Sequence, residues 1–141
     1  MIDRKLRSLA DAFIDRNAAA YREAGEELAE CKGIERAQVS GLRGVAAAAR
    51  RYVEIEDWLL GQIGRSSPGK KWRSKPVDAP RSIGDKLLEQ LQAIRAESEK
   101  LAKEEQADWP KIAIALAQAW ARRIEASFLY AKKPENAGAA Q

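Results

Sequence analysis

Apolar and small residues at Leu6, Ala10, Phe13, Ala20, Ala24, Leu28 and Cys31 recur at helical steps, with Asn17 the one polar residue on the stripe. That period predicts a first helix from Asp3 to Cys31, closed by Gly33 beyond its C-terminus. A second stripe, Val39, Leu42, Ala46, Ala49, Val53, Leu60 and Ile63, predicts a helix from Glu35 to Ile63. Gly41 and Gly44 weaken its first turns, which predicts a kink or a late start. From Gly64 to Pro80 the helical period is lost and three prolines appear, the pattern of a long loop. Ser82 with Asp85 then forms a capping signal for a third helix carrying Leu87, Leu88, Leu91, Ile94, Ser98 and Leu101 and ending near Gln106. Asp108-Trp109-Pro110 opens a fourth helix on Ala113, Leu116, Ala117, Trp120, Ile124, Phe128 and Ala131, with Lys132 and Lys133 suited to its C-terminus and Pro134 as its stop. The expected architecture is all-α: a single-domain bundle of about four helices over residues 1–133, one long basic loop, and a disordered tail over 134–141.

Composition restricts what such a bundle does. No stretch approaches a membrane-spanning run, and the first residues carry no apolar signal core, so a soluble cytoplasmic protein with no membrane partner is expected. The absence of histidine removes the usual general base near neutral pH and the commonest metal ligand, and Cys31 has no cysteine to pair with. Among Glu54, Glu56 and Asp57, and among Glu97, Glu99, Glu104 and Glu105, residues one or two apart do not share a helical face, and the runs read as solvated surface. Gly64-x-x-x-x-Gly69-Lys70 spells the start of a phosphate-binding loop, but Lys71 stands where Ser or Thr must hold magnesium, and no strand is expected before it. The expectation is a protein without catalytic residues, metal or cofactor.

Charge is distributed unevenly, and that changes the picture. Between Gly61 and Arg81 six basic residues face Asp78 alone; from Ser82 to Trp109 seven acidic residues outnumber four basic ones; from Pro110 to Lys133 five basic residues face Glu125. Lys70, Lys71, Arg73 and Lys75 flank Trp72, a combination of phosphate-neutralising cations with an indole that either stacks on bases or pins the loop to the bundle. Arg36, Arg43 and Arg50 repeat every seven residues and would form a ladder along the second helix, about 10 Å between rungs. Arg122 and Arg123 add a patch on the last helix. These ten residues are the candidate nucleic-acid contacts. The same arginines suit acidic side chains of a protein partner, which makes a helical adaptor or regulatory protein the competing reading.

The stretch Ile34-Glu35-Arg36-Ala37-Gln38-Val39-Ser40-Gly41-Leu42-Arg43, set between two long helices, resembles the helix-start element of the small subunits of multisubunit CRISPR effector complexes. The resemblance covers mainly residues 20–65; the interval from Gln38 to Arg43 is longer than in the tightest form of that element, and the Trp72 loop has no counterpart in it. The resemblance implies a non-catalytic subunit of a ribonucleoprotein in antiviral defence. It also implies other protein subunits and copies of itself as partners, with a single strand or guide–target duplex held through phosphates.

Overall fold

The computed structural model describes residues 4–132, so the expectations for Asp3, Lys133 and the tail lie outside the described residues. Among the described residues the chain forms five α-helices and no strand: α1 (Arg4–Glu30), α2 (Arg36–Ala48), α3 (Tyr52–Arg65), α4 (Ile83–Glu105) and α5 (Trp109–Ala131), with a 3-10 turn at Lys71–Arg73. The all-α single-domain bundle is as expected; the helix number is not. The helix expected from Glu35 to Ile63 is two helices, and the break falls at Ala49–Arg51, away from both glycines. No helix among the described residues is long and apolar enough to cross a membrane.

Local signals account for the helix ends. Gln38 Oε1 accepts the Glu35 N–H at 2.8 Å and satisfies one of the donors that every helix start leaves without a backbone acceptor. Ser82 Oγ does the same for Asp85 N–H at 3.2 Å, as the sequence predicted. Gln106 ends α4 in the left-handed conformation (φ 53°), and Pro110 occupies the first turn of α5 after the Asp108 cap. Asn17, the polar residue on the α1 stripe, donates to the Phe13 carbonyl at 2.8 Å, which removes the cost of its partial burial.

α1 and α5 lie side by side in the same direction and α4 runs antiparallel to α1. Arg7 and Asp11 beside Ala119 and Arg122, with Arg22 and Glu26 beside Ala126 and Tyr130, show the first; Lys5 with Glu105 at 3.3 Å, Arg16 with Glu97 at 4.0 Å, and Lys86 with Glu23 at 3.4 Å and with Glu27 show the second. At Gly25 α1 lies close against α5. A Cβ there would stand 2.6 Å from both the Ile124 carbonyl oxygen and Ser127 Cβ, so the packing requires glycine. Trp120, fully buried, donates through Nε1 to Gln90 Oε1 at 2.8 Å. α3 crosses α4, with Tyr52 donating to the Leu91 carbonyl at 2.6 Å and meeting Trp109 edge-on at 5.9 Å.

Candidate nucleic-acid interface

α2 runs antiparallel along α5 and is pinned to it at three levels. Arg43 Nε lies 2.7 Å from Glu125 Oε1, Gln118 Nε2 donates to the Ala46 carbonyl at 3.1 Å, and Lys132 Nζ donates to the Ile34 carbonyl at 3.2 Å. Arg36, one heptad before Arg43, stands on the same side of α2 near the end of α5. On α5 the strip left open between its contacts with α2 and with α1 carries Arg122, Arg123, Ala126, Leu129 and Tyr130, all exposed. The fold thus brings Arg36, Arg43, Arg122 and Arg123 to one face. Among the described residues Arg36, Arg122 and Arg123 have no ion-pair partner, whereas Arg43, still 48% exposed, is paired.

Arg50 does not join them, which corrects the expected ladder. The chain leaves α2 at Ala49 (φ −63°, ψ 134°), so Arg50 lies in the break, at the opposite end of α2 from Arg36. Glu54 Oε1 accepts the backbone N–H of Arg50 at 2.8 Å and of Arg51 at 2.7 Å. Those two bonds, that of Arg51 foremost, hold the Glu54 carboxyl below the usual carboxylate range.

The loop after α3 also departs from expectation, because Trp72 faces inward. The residue is 1% exposed, meets Trp58 edge-on at 5.9 Å, and leaves Nε1 buried without a hydrogen-bond partner among the described residues. No face of the indole is open to a base; it pins the loop. The backbone is fastened as well: Lys71 N–H donates to the Lys32 carbonyl at 2.8 Å, Ser74 Oγ to the same carbonyl at 3.2 Å, and Ile83 N–H to the Ser74 carbonyl at 2.7 Å. Lys70, Lys71 and Lys75 project from this frame, exposed and without an ion-pair partner among the described residues. Arg73, also exposed, donates Nε to the Ile63 carbonyl at 2.9 Å and satisfies an acceptor in the last turn of α3. A groove of about 570 Å³ between this loop and the first turn of α4 is lined by Arg73, Lys75, Arg81 and Asp85, with Arg81 held at two points by Glu89.

The turn between α1 and α2 joins the two basic regions, since its Lys32 carbonyl takes the loop and its Ile34 carbonyl takes Lys132 from the end of α5. Lys32, exposed in that turn, is a cation the sequence reading passed over, and so is Arg22 on the edge of α1. Tyr130 was passed over too, although its place off the apolar stripe of α5 was a readable signal. Of the ten candidate residues, Arg36, Arg43, Arg122 and Arg123 lie along α2 and α5, Lys70, Lys71, Arg73 and Lys75 lie on the loop after α3, Trp72 is buried beneath that loop, and Arg50 stands apart.

The carboxylates have structural roles. Besides Glu54, Glu56 approaches Arg95 at 3.9 Å, Glu99 binds the same arginine at 3.1 Å, and Glu97 and Glu105 pair with α1. Among the described residues no three His, Cys, Asp or Glu side chains form a group able to hold a metal ion. Burial, followed by Glu27 and Glu30, pushes the Cys31 thiol up to about 11 against the opposing pull of Lys132, so it is not a thiolate at neutral pH. Of the polar residues in the 34–43 stretch, Gln38 caps α2 and Arg43 pairs with Glu125, so both act inside the fold. No protein family matches this chain, and no curated protein or solved structure is similar to it.

Proposed function

We propose that this protein is a non-catalytic nucleic-acid-binding subunit of a ribonucleoprotein complex, gripping the phosphate backbone of a target or displaced strand. The observation that supports this best is the antiparallel packing of α2 on α5, which sets Arg36 and Arg43 beside the helix that carries the exposed Arg122 and Arg123. Cations carried on a folded backbone meet phosphates without the cost of ordering that backbone, and each phosphate neutralised releases counterions. The likeness of residues 34–43 to small subunits of CRISPR effector complexes supplies the kind of assembly proposed. Within it, several copies acting together would bind more tightly than one copy does alone.

The test is reversal of Arg122 and Arg123 to Glu, read by anisotropy of a labelled oligonucleotide across a salt series. Wild-type affinity should fall steeply with salt. The variant should bind more weakly, with a log–log slope shallower by about 1.4 to 1.8 because two contacts are lost. Equal affinity and equal slope would remove the nucleic-acid reading. A helical adaptor would then lead, supported by Val53 and Leu60, which are 46% and 49% exposed one heptad apart on α3.

A further inference from the structure

We infer that Tyr130 is a base-stacking residue, and that the groove beside it between α1 and α5 receives a single unpaired nucleobase; this rests on the nucleic-acid reading above. Single-strand binding draws on aromatic faces as well as cations. In this fold nearly every aromatic is spent on the core. Trp72, Trp120, Tyr52 and Phe128 are 1% exposed or less, while Tyr130 is 93% exposed, the one aromatic classed as exposed among the described residues. It projects from the last turn of α5, rotated about 200° from the buried Phe128. Arg123 lies one heptad earlier on the same side, which sets the ring in line with the cations proposed to hold phosphates.

The groove at this ring has a volume of about 300 Å³ and is lined by Arg22, Glu26, Ala126, Ser127 and Tyr130. Its size is at the lower limit of small-ligand sites, suited to one base rather than a run of them. The close approach of the helices at Gly25 sets its depth, because that contact brings α1 against Ser127. The lining also supplies what a base edge needs. The Glu26 carboxylate accepts from an exocyclic amino group, the Arg22 guanidinium donates to ring or carbonyl acceptors, and the Ser127 hydroxyl does either. Arg22 and Glu26 are themselves 3.9 Å apart and well exposed, a loose pair whose members are free to turn to a ligand. A base held in a duplex presents neither its face nor its pairing edge, so the occupant is single-stranded nucleic acid.

The experiment compares wild type, Tyr130→Ala, Tyr130→Phe and the Arg122→Glu/Arg123→Glu double variant on a labelled single strand and on its matched duplex at low salt. Tyr130→Ala should lose about 5- to 100-fold in single-strand affinity, with the salt slope unchanged because a ring releases no counterions. Tyr130→Phe should stay within about twofold, since the face is kept. Duplex binding should not change, and neither should the thermal midpoint of the free protein. Undiminished single-strand binding by Tyr130→Ala, or an equal loss on the duplex, overturns the stacking assignment. If the arginine reversals weaken binding and Tyr130→Ala does not, the stacking assignment alone falls. If no wild-type binding is seen, or none of the variants differs from wild type, the reading beneath it falls too.

Discussion

The chain leaves α-helical geometry twice between α2 and α4, and the two interruptions are held by opposite means. At Ala49–Arg51 three residues suffice. One carboxylate, Glu54, takes two backbone donors, and the chain re-enters a helix whose buried face, Tyr52, Ile55 and Leu59, is out of phase with that of α2. Between Ser66 and Ser82 the interruption is long, and it is held from below by a buried indole and by backbone bonds to the α1–α2 turn. The short break is fixed by a charge at the surface, the long one by packing. The basic loop is therefore packed as part of the bundle, with Trp72 beneath it and its backbone bonded to the α1–α2 turn.

The largest effect should come from removing the anchor of the long segment. Trp72→Ala leaves a cavity under the loop and should cost about 3–5 kcal/mol, lowering Tm by more than about 10 °C. Amide exchange should quicken first at Lys71 and Ile83, whose bonds tie the loop down. A near-wild-type melting curve would mean that the loop is not part of the cooperative unit.

A smaller effect tests how closely the loop is seated. A Cβ on Gly84 would stand 2.5 Å from the Trp72 carbonyl oxygen and 2.6 Å from Ile63 Cγ1. Gly84→Ala should therefore destabilise by about 1–3 kcal/mol despite alanine's better helix propensity. Stabilisation in a denaturant titration would show that the loop and α3 have room to retreat.

The smallest effect belongs to the short break. Glu54 is held below its ordinary pKa in the fold, so its contribution is present at neutral pH, above the unfolded value near about 4.3, and is lost as pH falls through the lower folded value. Glu54→Gln should be slightly less stable than wild type at pH 7, and the gap in Tm should close at the acid end of that window. A gap that persists unchanged into acid would mean that charge has no part in holding the break.

How far the sequence was legible follows from the same contrast. α1, α4 and α5 each have an unbroken stripe and recognisable ends, Ser82 and Asp108-Trp109-Pro110 among them, and they stand where the pattern put them. The second stripe misled because two helices overlap in it. Val39, Leu42 and Ala46 are buried, but continuing the same phase selects Val53 and Leu60, which face solvent, in place of Tyr52 and Leu59 one residue earlier. The glycines blamed for a kink have other roles or none: Gly41 gives room to the Trp58 ring, and Gly44 has nothing near it. Of the candidate surface, the shared side of Arg36 and Arg43 was readable from spacing. Their meeting with Arg122 and Arg123 depends on α2 lying antiparallel to α5, a tertiary fact with no local signal. The inward turn of Trp72 likewise depends on Trp58 and Gly84, each more than ten residues away.

The side-by-side, same-direction packing of α1 and α5 has a consequence for how the molecule is made. Arg7 and Asp11 lie beside Ala119 and Arg122, and Arg22 and Glu26 beside Ala126 and Tyr130, so α1 is matched to a helix synthesised well after it. Closing that contact spans about 100 residues of chain, a non-local step that sets a helical protein of this kind among the slower folders of its class. Until α5 emerges, Ala10, Ile14 and Gly25 lack the surface they pack beside, and exposed apolar surface of that kind favours aggregation. α5 also carries Arg122, Arg123 and Tyr130, so a chain that has not finished folding also lacks a finished basic face.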